Sequence, residues 1–256
     1  MEKMPVLFVG HGSPMNAIEE NPFVEEWKML GRKLPRPKAI LAVSAHWFTD
    51  GTRVNNAEAP QMVYDMYGFP PALYRIVYGA KGSPHFAHRA AELIGGNTVT
   101  FDNSWGLDHG SWSVLHRIFP AADIPVFQLS INGRLSPAGH YQMGRKLRAL
   151  REEGVLIFGS GNVVHNLATV NLNLPGGYTW AEDFDAYIQE NVLKRDDDNV
   201  IDYKKAGASA LKAFTTIEHF APLLYVLSAA DEADKVSVFN DSCIGGSLSM
   251  TSYLIG

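Results

Sequence analysis

His11 in "VLFVGHGSP", His46 in "AILAVSAHW" and His165 in "GVLIFGSGNVVHN" each come at or just past the end of an apolar run, among small residues. A lone histidine at a strand end is usually a partly buried, hydrogen-bonded residue. Three such placements point instead to imidazoles converging from different strands, and neutral imidazole is the commonest metal ligand. "WGLDHGSWSVL" adds His109, ahead of a predicted helix whose dipole disfavours the protonated ring. It could donate or accept a proton there, or the segment could be an Asp-rich turn with Asp108 as helix cap.

"FTTIEHFAPLLYVL" places Glu218 and His219 at the start of a helix capped by Thr215 or Thr216. At about 100° per residue, Phe220, Leu223, Leu224 and Leu227 form the inward stripe. His219 lies beside that stripe and Glu218 nearly opposite, which favours His219 as the inward group. His85 and His88 have a chelating spacing but no third group nearby, so an exposed helix face is expected for both. His116 is expected to pack on its own helix, and His140 falls at a polar loop-to-helix junction.

These side chains need a scaffold that brings strand ends together. The 256 residues, 46% hydrophobic and 19% charged, suffice for one large α/β domain spanning 1–256 with a substantial core. The net charge of −5, from 27 acidic against 22 basic residues, leaves no basic footprint for nucleic acid. Lone Cys243 excludes an internal disulfide and a cysteine-based metal cage, so a metal here requires histidine and carboxylate ligands. The amino-terminal apolar segment is shorter than a signal core and no spanning stretch follows, so a cytoplasmic protein without a membrane partner is expected.

Short apolar runs alternate with helical spacings, predicting strands at 5–10, 38–45, 97–101, 125–131 and 154–159. Helices are predicted at 22–32, 84–94, 111–118, 137–152, 179–194, 206–214 and 217–230, with Ser83-Pro84 starting the second. "KRDDDNVIDYKK" reads as a solvated loop, and "KVSVF" and "SLSMTSYLI" as closing strands. The alternation implies an α/β fold with a central mixed, largely parallel sheet flanked by helices, whose ligands gather at the strands' carboxyl ends. Residues 61–84, rich in Tyr, Gly and Pro, read as a long structured loop whose aromatics either line a pocket or pack on their own domain.

The motifs "GHGSPM", "SAHWF", "GFPPALY", "WGLDHGSW", "DIPVFQLSI", "MGRKL", "GSGNVVHNL", "EHFAPLLYVL" and "GSLSM" occur in order over nearly the whole chain. In this the chain resembles the 4,5-DOPA extradiol dioxygenase family, within the class III extradiol ring-cleaving dioxygenases. The resemblance implies one mononuclear divalent metal per chain, with His11, His46 and His219 as ligands. His165 would complete the metal surroundings or act as acid–base residue, and His109 would contact oxygen or substrate. The wider class uses two histidines and a carboxylate, whereas this sequence presents Glu218-His219 at the third position, which leaves Fe(II) and Zn(II) both in view.

The implied partners are O2 and a small catechol-type aromatic. Fe(II) with open coordination positions supplies the electron transfer such a reaction with O2 needs, which Zn(II) does not. A zinc hydrolase using the same histidines, or a binding protein without turnover, remains a competing chemistry at this point. Serine hydrolysis through Ser13 or Ser160 is weaker, since neither "HGSPM" nor "FGSGN" matches a nucleophile elbow.

Overall fold

The computed structural model describes residues 3–256, so Met1 and Glu2 of the amino-terminal segment lie outside the described residues. In chain order its elements are β1 (Val6–Gly10), α1 (Pro22–Lys33), β2 (Ala39–Thr49), β3 (Thr52–Val54), α2 (Pro84–Ile94), β4 (Val99–Phe101) and α3 (His109–Ile118). There follow β5 (Val126–Asn132), α4 (Pro137–Leu147), α5 (Ala149–Glu152), β6 (Val155–Gly161), α6 (Thr179–Lys194), α7 (Asp197–Ile201), α8 (Ala210–Ala213) and α9 (Ala221–Ala229). The chain closes with β7 (Val236–Phe239), β8 (Cys243–Ile244), β9 (Leu248–Ser249) and β10 (Ser252–Ile255).

Eight strands form one sheet in the order β4-β3-β5-β2-β6-β1-β10-β7. Its centre, β5-β2-β6-β1, is parallel throughout, while β3 joins β5, and β10 joins β1 and β7, in antiparallel sense. The expected single α/β domain with a mixed, largely parallel sheet flanked by helices is the architecture observed.

Central strands buried on both faces explain the near-continuous apolar runs. Val6, Phe8, Leu41, Val43 and Ile157 point to one face, packed with α4, α6 and α9. Leu7, Val9, Ile40, Ala42, Leu156 and Phe158 point to the other, where Val24, Trp27 and Leu30 of α1 meet Trp112 and Leu115 of α3.

Several expected boundaries move. The helix expected at 137–152 tightens at Arg148, whose N–H bonds the Arg145 carbonyl three residues back, and so divides into α4 and α5. The helix expected at 206–214 shortens to α8, because Gly207 adopts φ 73° and interrupts the chain. The charged stretch read as a loop contains α7, capped by the Asp196 side chain. "SLSMTSYLI" breaks into β9 and β10, which lie in different sheets. His140 is fully buried inside α4 rather than at a polar junction, its Nδ1 3.3 Å from the Tyr225 hydroxyl.

The helix expected from 217 starts at Ala221 and follows a 3-10 turn over Ile217–His219. Pro222 has no N–H to offer the Glu218 carbonyl, so an α ladder cannot begin through that residue. Thr216 precedes the turn without a capping hydrogen bond from its side chain.

Candidate metal centre

The five site histidines are delivered by different elements. His11 follows the last residue of β1, whose partner strand β6 ends opposite it at Gly161. His46 lies within β2, which runs past its expected end to Thr49; its pairing with β5 slips between Val43 and Phe48. Such an irregularity re-aims side chains locally, and here it encloses His46. His109 is the first residue of α3, capped by Asp108, whose side chain accepts from the Ser111 N–H. His165 bridges Phe214 and Leu248 just beyond β6.

His219 ends the 3-10 turn, and its carbonyl accepts from the Asn162 N–H at 2.8 Å. A Cβ at Gly161 would lie 2.1 Å from that carbonyl oxygen, so glycine is what lets the His219 segment dock on the end of β6.

The rings converge. His11 and His46 have centroids 5.1 Å apart, His46 and His109 3.9 Å, His11 and His219 5.4 Å, and His46 and His219 5.2 Å. His165 stacks on His219, centroids 3.5 Å apart and planes within 4°. Among the described residues, His11, His46 and His109 form the one group of three or more metal-ligating side chains whose donor atoms all lie within 4.8 Å of one another. His85 and His88 are exposed on α2, away from this cluster.

Neighbouring acceptors fix ring roles. The Ser160 hydroxyl donates to the Gly110 carbonyl at 2.6 Å, so toward His11 Nδ1, 3.0 Å away, it can only accept. His11 therefore carries its proton on Nδ1 and turns an Nε2 lone pair to the site. His46 Nδ1 lies 3.0 Å from Asp65 Oδ2, an anionic oxygen that favours N–H there. The two Nε2 atoms then face each other 3.3 Å apart.

Two facing lone pairs repel, and a shared cation removes the repulsion. Nitrogens bound at about 2.0–2.1 Å in a tetrahedral shell lie roughly 3.3 Å apart, so the pair fits a metal. His219 Nε2 is buried with no hydrogen-bond partner, while its Nδ1 lies 3.3 Å from Glu218 Oε1.

Burial, reinforced by neighbouring imidazoles, holds His11 and His219 well below the ordinary histidine pKa. Burial likewise brings His165 down to about 4. For His46 burial is the largest single effect, but the Asp65 contact and the charges of Asp108, Asp65 and Glu218 outweigh it and raise the pKa. Asp65 is held well below the usual carboxylate range: burial opposes ionisation, and its contacts with His109 and His46 overcome it.

Asp65 is the functional residue the sequence reading passed over. It is the sole acidic residue of the 61–84 loop, and that isolation among aromatics is the one signal available. The loop is ordered and without long elements, as expected. The Tyr64 ring lies tilted against Trp112, centroids 5.7 Å apart, and its hydroxyl donates to the Ile76 carbonyl at 2.5 Å, while Tyr78 is buried. These rings pack the loop onto its domain; Tyr67 alone stands 93% exposed. Ser160 is fully buried and engaged by His11, and Ser13 caps the turn at Pro14–Ala17, so neither is presented as a nucleophile.

A parallel-centred α/β domain thus gathers a histidine cluster that could hold a metal ion near the carboxyl ends of its strands. The chain belongs to the family of the catalytic LigB subunit of aromatic ring-opening dioxygenase, whose model matches residues 5–253, and it is an aromatic ring-opening dioxygenase. It is 46% identical to the 4,5-DOPA dioxygenase extradiol of Escherichia coli (strain K12), over 99% of this chain and 95% of that protein. It is 38% identical to the 4,5-DOPA dioxygenase extradiol of Beta vulgaris, over 96% and 94% respectively. A crystal structure of an uncharacterized Escherichia coli K12 protein superposes with TM-score 0.87 at 43% identity, covering 99% of this chain and all of that one. Among the described residues no helix is long and apolar enough to cross a membrane.

Proposed function

We propose that this chain inserts O2 into a catechol-type, DOPA-like aromatic by extradiol cleavage, giving a ring-opened semialdehyde, at one mononuclear divalent metal. The observation that carries this is the 3.3 Å approach of the His11 and His46 Nε2 atoms, each ring having its Nδ1 engaged elsewhere. The names of the relatives support a DOPA-like substrate. His11, His46 and His219 hold the ion, with His165 stacked on His219 at its edge. Bound Fe(II) supplies the electron transfer that lets O2 react with a catecholate; Zn(II) fills the same ligands without it.

The chain's own residues manage protons. His165, with a pKa near 4, is neutral at pH 7 and can take a phenolic proton from the substrate. His109, 3.9 Å from the His46 ring by centroid, is placed to receive or return a second proton. Burial of His11 at 2% exposure and His219 at 6% keeps water from competing for their free nitrogens.

A second ligand set has one observation in its favour: the donor atoms of His109, not those of His219, group with His11 and His46 within 4.8 Å. Metal content of His109→Ala and His219→Ala separates the two sets, because only the true third ligand loses the ion. The reaction is tested by anaerobic reconstitution with Fe(II), then oxygen uptake against a panel of catechols with zinc-loaded protein as control. Uptake with a yellow ring-opened product in the iron form alone is expected. Absence of uptake with every catechol, or metal-dependent turnover without oxygen, would transfer the site to zinc hydrolysis or binding.

A further inference from the structure

We propose that Asp65 is a positioning residue that sets the tautomer of His46, and so ties the 61–84 loop to the metal centre. Its carboxylate is shared: Oδ2 lies 3.0 Å from His46 Nδ1, and Oδ1 lies 3.0 Å from His109 Nδ1. Oδ1 also accepts the His109 backbone N–H at 2.9 Å, its one hydrogen bond with that residue, since the ring Nδ1 makes none. A carboxylate is the one side-chain head of this size that presents only acceptors to both rings. Facing a carboxylate oxygen, His46 keeps its proton on Nδ1 and turns Nε2 toward His11.

The consequence is sharpest for an amide. In Asp65→Asn the backbone N–H of His109 is a donor that cannot move, so it claims the amide oxygen. The amide NH2 then replaces Oδ2 and faces His46 Nδ1. Two donors cannot face each other, so His46 must shift its proton to Nε2, the nitrogen turned toward His11. Asp65→Ala removes the acceptor without introducing a wrong donor, and leaves the His46 tautomer free. Thus the isosteric replacement should do more harm than the truncating one. A residue that merely anchors the loop would behave in the opposite way.

The affinity part of this inference rests on His46 being a metal ligand; the tautomer part does not. The test begins with side-chain 15N spectra of metal-free protein, at a pH that keeps both rings neutral, with His46 assigned from the His46→Gln spectrum. Wild type should show His46 protonated at Nδ1, and Asp65→Asn should show it at Nε2. Zn(II) titration should then give an affinity lower by roughly 10–100-fold for Asp65→Asn, the usual range for removing a partner of a ligating histidine, with a smaller loss for Asp65→Ala. Asp65→Glu, which restores two acceptor oxygens, should return His46 to Nδ1–H. An unchanged His46 tautomer in Asp65→Asn, or a loss in Asp65→Ala at least as large, overturns the proposal. A flipped tautomer with unchanged zinc affinity would leave the positioning role standing and refute His46 as ligand.

Discussion

Ser160 holds His11 in one tautomer: its hydroxyl proton is engaged by the Gly110 carbonyl at 2.6 Å, leaving only a lone pair for the Nδ1–H of His11 at 3.0 Å. Ser160→Ala removes that acceptor and leaves His11 Nδ1 buried without a partner. The zinc dissociation constant is expected to rise about 10–100-fold, as for other partners of ligating histidines. Calorimetric titration of the metal-free variant checks this, and an unchanged constant would show that another contact orients His11.

Replacing the histidines one at a time should divide them into two groups. His11→Ala and His46→Ala are expected to abolish stoichiometric metal binding. His109→Ala and His165→Ala should retain more metal than activity, with oxygen uptake reduced by a factor of about 100 or more, the usual scale of a lost acid–base group. Metal analysis beside uptake rates decides the matter; full occupancy in the first pair would remove both from the ligand set.

Gly110 is the second residue of α3, and a Cβ there would lie 2.7 Å from His46 Cδ2 and 2.8 Å from Ser44 Oγ. Ser44 is not free to yield, since it donates to the buried Asp108 carboxylate at 2.6 Å, which leaves His46 as the neighbour that must move. Gly110→Ala should therefore displace the His46 ring and weaken metal binding, even though alanine is the better helix former. Zinc affinity and thermal melting measured together would show this, with affinity falling further than helix propensity alone would account for.

His140 supplies a pH dependence remote from the metal. Burial lowers its pKa from the ordinary 6.5 to about 4. Between these values the unfolded chain binds more protons than the folded one, so stability rises with pH through that window. The contribution is complete above about pH 6.5 and is lost as pH falls toward 4, amounting to about 3 kcal/mol. Urea unfolding of wild type and His140→Gln at pH 7.5 and 4.5 should show a smaller acid loss in the variant. An equal loss would mean that His140 does not titrate in this range.

Much of this was legible in the chain itself. The parallel strands announced themselves through doubly buried apolar runs, and the helix at 179–194 matches α6 residue for residue. His11, His46, His109, His165 and His219 could be singled out because each interrupts a strand end or begins a helix. What escaped were features that depend on long-range partners. β3 is three residues long and exists because β4 and β5 flank it. Asp65 is an ordinary carboxylate until the fold brings it against two imidazoles from β2 and α3. The slip in β2 around His46 is likewise a property of pairing with β5, invisible in "AILAVSAHW" alone.

β6 lies between β1 and β2 in the sheet, and the rings of His11 and His46 meet past the small residues that end it. Their parent strands stand two strand spacings apart, roughly 9.6 Å, so the two side chains close that gap over the end of β6 and the pair's geometry follows from the strand order. Small zinc modules that collapse around their metal unfold when it is chelated. A metal held as proposed would be a guest in a preformed socket: stripping it should leave a folded apoprotein that reloads readily. Exchanging one ion for another should then change catalytic competence without the fold registering the difference.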